Sequence, residues 1–251
     1  MIRFPLRRIF LTLPFALVVG GCGRNSNPAQ LGPDALYERG TTAYRTGKYG
    51  RAVDLLNRFL QAHLGDPRAA EARMTLGRAH MARREYILAA GEFTRLLNET
   101  PPDSLQRSAR FGICEAYRRL SPRPQLDQEY TGGAIAHCES VATYYPGTQE
   151  AAQAAEWVRD LKQKLAQKSY DTGMFYFKRG AYDAAVIYFT ETVEQYPDTV
   201  VAAAALLKLL QSYETIGYKE EAADARARLL REYPQSPEAR TLQGTAGSAG
   251  S

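Results

Sequence analysis

Three cysteines and three histidines are the residues best suited to do chemistry in this chain. Cys114 and Cys138 fall on two successive runs of helical period. In an oxidising compartment they could join if their Cβ atoms came within about 4 Å; the sequence alone favours two buried thiols. His137 beside Cys138 suggests a metal or a nucleophile. Neighbouring residues on a helix point about 100° apart, however, and no second ligand pair stands at zinc spacing. His63 and His80 are isolated. Glu220, Glu221 and Asp224 lie among Lys and Arg on a polar helix face and read as solvated surface. There is no Gly-rich phosphate loop and no Ser-centred elbow. The expectation is therefore no catalytic residue, no metal and no cofactor.

Cys22 stands apart from the other two. Arg3, Arg7 and Arg8 precede an apolar segment, Ile9 to Val19, and Val19-Gly20-Gly21 leads into the cysteine. A spanning helix needs about 20 apolar residues, so this run is too short. Positive, apolar and small-residue regions in that order read as a secretory signal over residues 1–21. The sequence around Cys22 resembles the bacterial lipobox, which implies acylation of that thiol. Several acyl chains hold firmly, since each buried CH₂ contributes about 0.8 kcal/mol. Gly23, rather than the Asp that favours inner-membrane retention in such lipoproteins, implies the outer membrane. Residues 22–33 read as a flexible tether, and residues 241–251 as a disordered tail. Removing 1–21 takes the formal charge from +5 to +2, which leaves little reason to expect nucleic-acid binding.

Between these ends the chain repeats itself. Gly40, Gly77 and Gly173 open one apolar-periodic run, and Ala52, Ala89, Ala185 and Ala222 open the next. Gly40 to Gly77, Ala52 to Ala89 and Ala185 to Ala222 are each 37 positions, and Pro101, Pro197 and Pro234 close three of the units. Small residues at these points let paired helices approach closely. The unit resembles the tetratricopeptide repeat of about 34 residues. A third unit is split by "SPRPQLDQEY", where Pro122 and Pro124 exclude regular helix. Asp66-Pro67, Asp103 with Gln106, and Ser236-Pro237 are read as helix-start signals. The expected fold is all-α, a right-handed solenoid of about five hairpins. Repeats one to three occupy 34–147, and a long linking helix with repeats four and five occupies 148–240.

Two stretches sharpen the resemblance. "LAQKSYDTGMFYFKRGAYDAAVIYFTETVEQYPDT" and "YYPGTQEAAQAAEWVRDLKQKLA" are similar to the BamD family of outer-membrane β-barrel assembly lipoproteins. That resemblance covers roughly residues 22 to 240. It implies a non-enzymatic scaffold that binds the periplasmic POTRA domain of BamA and receives unfolded β-barrel precursors, alongside other lipoproteins of the complex. In relatives an arginine on the second helix of repeat four meets BamA; here the matching position is Tyr188, with Tyr182 and Lys178 close by. The competing readings are a tetratricopeptide lipoprotein of pilus-secretin assembly or envelope division and, from a different class, an envelope hydrolase.

First helices line the groove of such a solenoid. That places Tyr37, Thr41 and Tyr44 of repeat one, and Met74, Arg78 and Met81 of repeat two, on a peptide-binding surface. Rings and thioethers repack readily around a peptide, and Arg can grip a terminal carboxylate. Tyr170, Met174 and Phe177 take the equivalent places in repeat four, with Phe177 read as core.

Overall fold

Periodic apolar faces and small residues at the points of close approach organise this chain into a row of antiparallel helix pairs. The computed structural model describes residues 31–63 and 65–248, and those residues form eleven helices. They pair as α1 (Pro33–Arg45) with α2 (Tyr49–Ala62), α3 (Ala69–Ala82) with α4 (Tyr86–Asn98), and α5 (Asp103–Leu120) with α6 (Glu129–Tyr144). The row continues with α7 (Gln149–Lys178) and α8 (Tyr182–Gln195), then α9 (Ala202–Ile216) and α10 (Lys219–Glu232); α11 (Pro237–Ser248) closes it. Each helix packs on the next in sequence, and α3 touches both α1 and α5. Five hairpins result. Cys22, the signal segment and most of the tether lie outside the described residues.

The repeated glycines do what their spacing suggests. A methyl added at Gly40 would meet Leu56 at 2.8 Å, at Gly77 the Phe93 ring at 2.4 Å, and at Gly173 the Phe189 ring at 2.6 Å. Ala52, Ala89 and Ala185 are fully buried opposite them. Phe59, Phe93 and Phe189 fill the hairpin interiors, each burial contributing about 1.5–3 kcal/mol. The core is thus a chain of small clusters, one per pair of neighbouring hairpins.

Helix ends follow local chemistry. Thr148 Oγ1 accepts from the Ala151 amide at 3.2 Å, and α7 then runs unbroken for 30 residues, so the linking helix and the first helix of repeat four are one. Ser236 caps α11 through the Ala239 amide at 3.1 Å. Asp66 accepts from the Arg68 amide at 2.9 Å, which, after the Arg68 side chain, holds its pKa down at about 2. Asp66-Pro67 and Asp103 depart from expectation: α3 starts only at Ala69 with Arg68 in the capping position, and Asp103 is the first residue inside α5, with Pro102 in the capping position. The end of the chain departs as well. Residues 241–248 continue α11 rather than forming a disordered tail, because Leu242 is buried in the last core cluster.

Hairpin three holds the largest correction. Cys114 and Cys138 are not two thiols but a disulfide, with Cα atoms 4.8 Å apart and a sequence separation of 24. The insertion, confined to 121–128, leaves α5 and α6 side by side. A closed loop of that length removes about 3.5 kcal/mol of unfolded-chain entropy. The insertion itself is tied down, since Lys164 Nζ donates to the Pro122 carbonyl at 2.9 Å and Lys168 Nζ to that of Leu126 at 2.8 Å.

Candidate functional site

A cavity of about 790 Å³ lies where α1, α3, α5 and α7 come together. Tyr44 reaches it from α1, Arg78 and Met81 from α3, and Tyr86 from the start of α4. Phe111, Glu115 and Arg119 come from α5, and Gln153 from α7. Phe93, held between Gly77 and Gly112, forms part of its floor. Three of the six expected groove residues therefore converge: Tyr44, Arg78 and Met81.

The other three are placed differently. Met74 is 3 % exposed and packs with Phe93 and Ile113. Because α5 covers the N-terminal half of α3, this thioether belongs to the core and not to the groove. Thr41 turns its hydroxyl back onto its own helix, donating to the Tyr37 carbonyl at 3.0 Å. Tyr37 donates to Glu71 Oε2 at 2.9 Å beneath the Arg68 guanidinium. Burial and then the Glu71 carboxylate push its phenol pKa up to about 12. Neither Thr41 nor Tyr37 lines the cavity.

The structure adds Arg84 to the site. Its φ of 62° is left-handed, at the turn position that Gly47, Gly180 and Gly217 occupy in repeats one, four and five. A non-glycine residue there costs about 1–2 kcal/mol. The 37-residue register carries Gly47 onto Arg84, which is the signal by which a sequence reading could have found it. Within the cavity lining, Glu115 is bridged to Arg119 at 3.4 Å and Glu150 to Arg107 at 3.4 Å. Neither Arg78 nor Arg84 has an acid partner among the described residues, so positive charge is in surplus beside Tyr44, Tyr86 and Phe111.

The same wall continues beyond the cavity. Phe111 stacks on Trp157 with ring centroids 5.2 Å apart, and the Arg118 guanidinium lies 4.3 Å from the centre of the indole. Burial, and then neighbouring Arg119, push the Arg118 pKa down. An aromatic face beside a partly desolvated cation is a surface suited to anionic and aromatic groups.

Lys178 ends α7 and Tyr182 opens α8, whereas Tyr188 lies midway along α8, away from the turn. Tyr188 stacks on Tyr176 at 5.5 Å, within 6° of parallel, and Tyr182 meets Phe177 edge-on at 5.3 Å. Lys178 ends α7 and is exposed, while Phe175 and Ile187 leave 48 % and 65 % of their surface open. Tyr170, Met174 and Phe177 pack, partly buried, against the last core cluster. Among the described residues, no three His, Cys, Asp or Glu side chains converge as a metal site. His63 lies against Phe59, His80 bonds Glu85 at 2.7 Å, and His137 lies on Tyr117 at 4.5 Å. Burial pushes the His137 pKa down.

Stacked helical hairpins around a cationic, aromatic groove define a helical-repeat scaffold of the tetratricopeptide type. The chain belongs to the YfiO family of outer membrane lipoproteins, whose pattern matches residues 29–229. It is similar to the outer membrane protein assembly factor BamD of Caulobacter vibrioides, 27 % identical over 222 residues, 87 % of this chain and 73 % of that relative. The factor of the same name from Rickettsia prowazekii is 26 % identical over 226 residues, 89 % of this chain and 90 % of the other. Among solved structures, a TPR repeats protein from Bacteroides fragilis aligns with a TM-score of 0.47 at 14 % identity, over 87 % of this chain and 99 % of that one.

Proposed function

We propose that this chain is a non-catalytic assembly factor for outer-membrane proteins, anchored through lipid on Cys22. Its groove receives unfolded β-barrel precursors, and the turn between α7 and α8 carries the periplasmic POTRA domain of BamA. The observation that carries the first role is the cavity itself, with its uncompensated arginines beside three aromatic rings. It suits an extended segment bearing both a ring and a carboxylate, because a guanidinium grips a carboxylate in two places. For the second role the support is the run of rings on α7 and α8, in which exposed Phe175 meets Tyr176 and Tyr176 stacks on Tyr188, with Ile187 exposed and Lys178 and Tyr182 at the turn. Aromatic side chains are favoured anchors at protein interfaces.

Capture of the detergent-solubilised full-length protein tests both roles. BamA is expected to co-purify, and Tyr188→Ala to reduce its recovery without changing the binding of a precursor-derived peptide. Such a peptide, ending in an aromatic residue, is expected to bind about tenfold more tightly as the free acid than as the C-terminal amide, a difference of about 1.4 kcal/mol. Recovery of a secretin in place of BamA, or no binding of either peptide, would overturn the assignment.

A further inference from the structure

The disulfide of hairpin three is sealed inside the molecule. Cys114 and Cys138 are both 0 % exposed. Val141 of α6 and Ala154 and Val158 of α7 enclose them, with Phe111 and Trp157 packed alongside. The loop joining α5 to α6 is fastened over the middle of α7 by Lys164 and Lys168. Thiol–disulfide exchange needs a sulfur of the carrier in contact with a sulfur of the chain. No such approach is open once α7 lies in place. Membership of an outer-membrane lipoprotein family brings the chain to the side of the inner membrane where disulfides persist.

We propose that this protein is a substrate of protein-thiol oxidation by a disulfide-bearing carrier, and that the bond forms while α5 and α6 are still uncovered by α7. One cysteine thiolate attacks the carrier disulfide, forming a mixed disulfide and releasing a carrier thiolate. The second cysteine thiolate attacks the chain sulfur of that mixed disulfide, which closes Cys114 to Cys138 and releases the other carrier thiolate. Two electrons pass from the chain to the carrier, which leaves as a dithiol after taking up the two protons. The bond then serves as a template: it fixes α5 on α6, so that α7 closes over a preformed hairpin and sets Trp157 against Phe111 at the wall of the groove.

The order of events is measurable on the full chain. In cells pulse-labelled and quenched in acid, alkylation reports the thiols and limited proteolysis reports packing. An oxidised, protease-sensitive species is expected to precede the protease-resistant one. In the tube, oxidised glutathione is expected to oxidise the urea-unfolded reduced chain at least tenfold faster than the refolded reduced chain. Where the reduced chain does not refold, the cellular arm decides alone. Protease-resistant protein that still carries two alkylatable thiols at Cys114 and Cys138, at steady state or as the earlier species, overturns the proposal; so do equal oxidation rates.

Discussion

Arg84→Gly tests whether the groove retains strain for a purpose. Arg84 adopts φ 62° at the end of α3, where three sister repeats have glycine at φ 74–86°. Its left-handed backbone costs about 1–2 kcal/mol. Glycine there gives back about 0.4–1 kcal/mol through the greater freedom of its unfolded chain. The net expectation is stabilisation by about 1 kcal/mol, or roughly 2–4 °C in Tm for a chain of this size. Side chain and charge leave the cavity wall at the same time, so the acid peptide is expected to bind about tenfold more weakly, the scale of one charge-assisted hydrogen bond. Thr100 supplies the control, since it has φ 46° at the end of α4 and does not line the cavity. Thr100→Gly is expected to stabilise comparably while peptide affinity stays unchanged. Urea denaturation and fluorescence anisotropy on the same preparations give both numbers. An Arg84→Gly protein that is less stable than its parent refutes the strain argument, and one that is more stable with undiminished affinity refutes the functional one.

Two further substitutions probe how the row of hairpins is held together. Gly112→Ala would set a methyl 2.5 Å from the Phe93 ring, which Gly77 blocks from behind. It is expected to lose about 1–2 kcal/mol in urea denaturation although helix propensity alone favours Ala by about 1 kcal/mol, and Phe93→Leu in the same chain should recover part of the loss; a gain in stability from Gly112→Ala alone would show that the approach is not tight. Arg73 is 7 % exposed and joins Glu92 at 3.0 Å and Glu99 at 2.6 Å. Arg73→Ala leaves Glu92 buried with only Arg95 beside it and is expected to cost about 3 kcal/mol, whereas Arg73→Met with Glu92→Leu should lie near the parent because the desolvated charges are gone; equal loss in both chains would rule out that account.

The hairpins were legible because helix packing imposes its demand at fixed points along the chain. A methyl at Gly40, Gly77 or Gly173 would crowd Leu56, Phe93 or Phe189, and Ala52, Ala89 and Ala185 are fully buried. Those constraints are local enough to be written as a 37-residue period. The site was less legible, because it is assembled from several repeats at once. Met74 shares a face with Arg78 and Met81 by helical spacing, yet α5 covers one end of α3 and leaves the other open. Only the arrangement of hairpins decides which end faces the cavity. Phe111 and Trp157 meet across 46 positions, and neither is marked by the repeat pattern. The disulfide was hidden for the opposite reason. Ten extra residues looked like a break between α5 and α6, whereas the insertion is tied onto α7 and leaves α5 and α6 side by side with the two cysteines bonded.

That pairing bears on how the stack of hairpins is held together along its length. Each hairpin contacts chiefly its neighbours, so stability and stiffness are local properties in such a stack. Groove and α7–α8 turn are linked through one continuous element, the 30-residue α7: Gln153 faces the cavity near one end, and Tyr176 meets Tyr188 near the other. The cluster around Cys114 and Cys138 clasps the first half of that helix, and Lys164 and Lys168 hold its middle through the insertion. Hairpin three is where a tight turn is missing, and it is also where the covalent link and the lysine ties fall. The insertion and the disulfide therefore act on the same element, since both hold α7 against hairpin three between the cavity and α8.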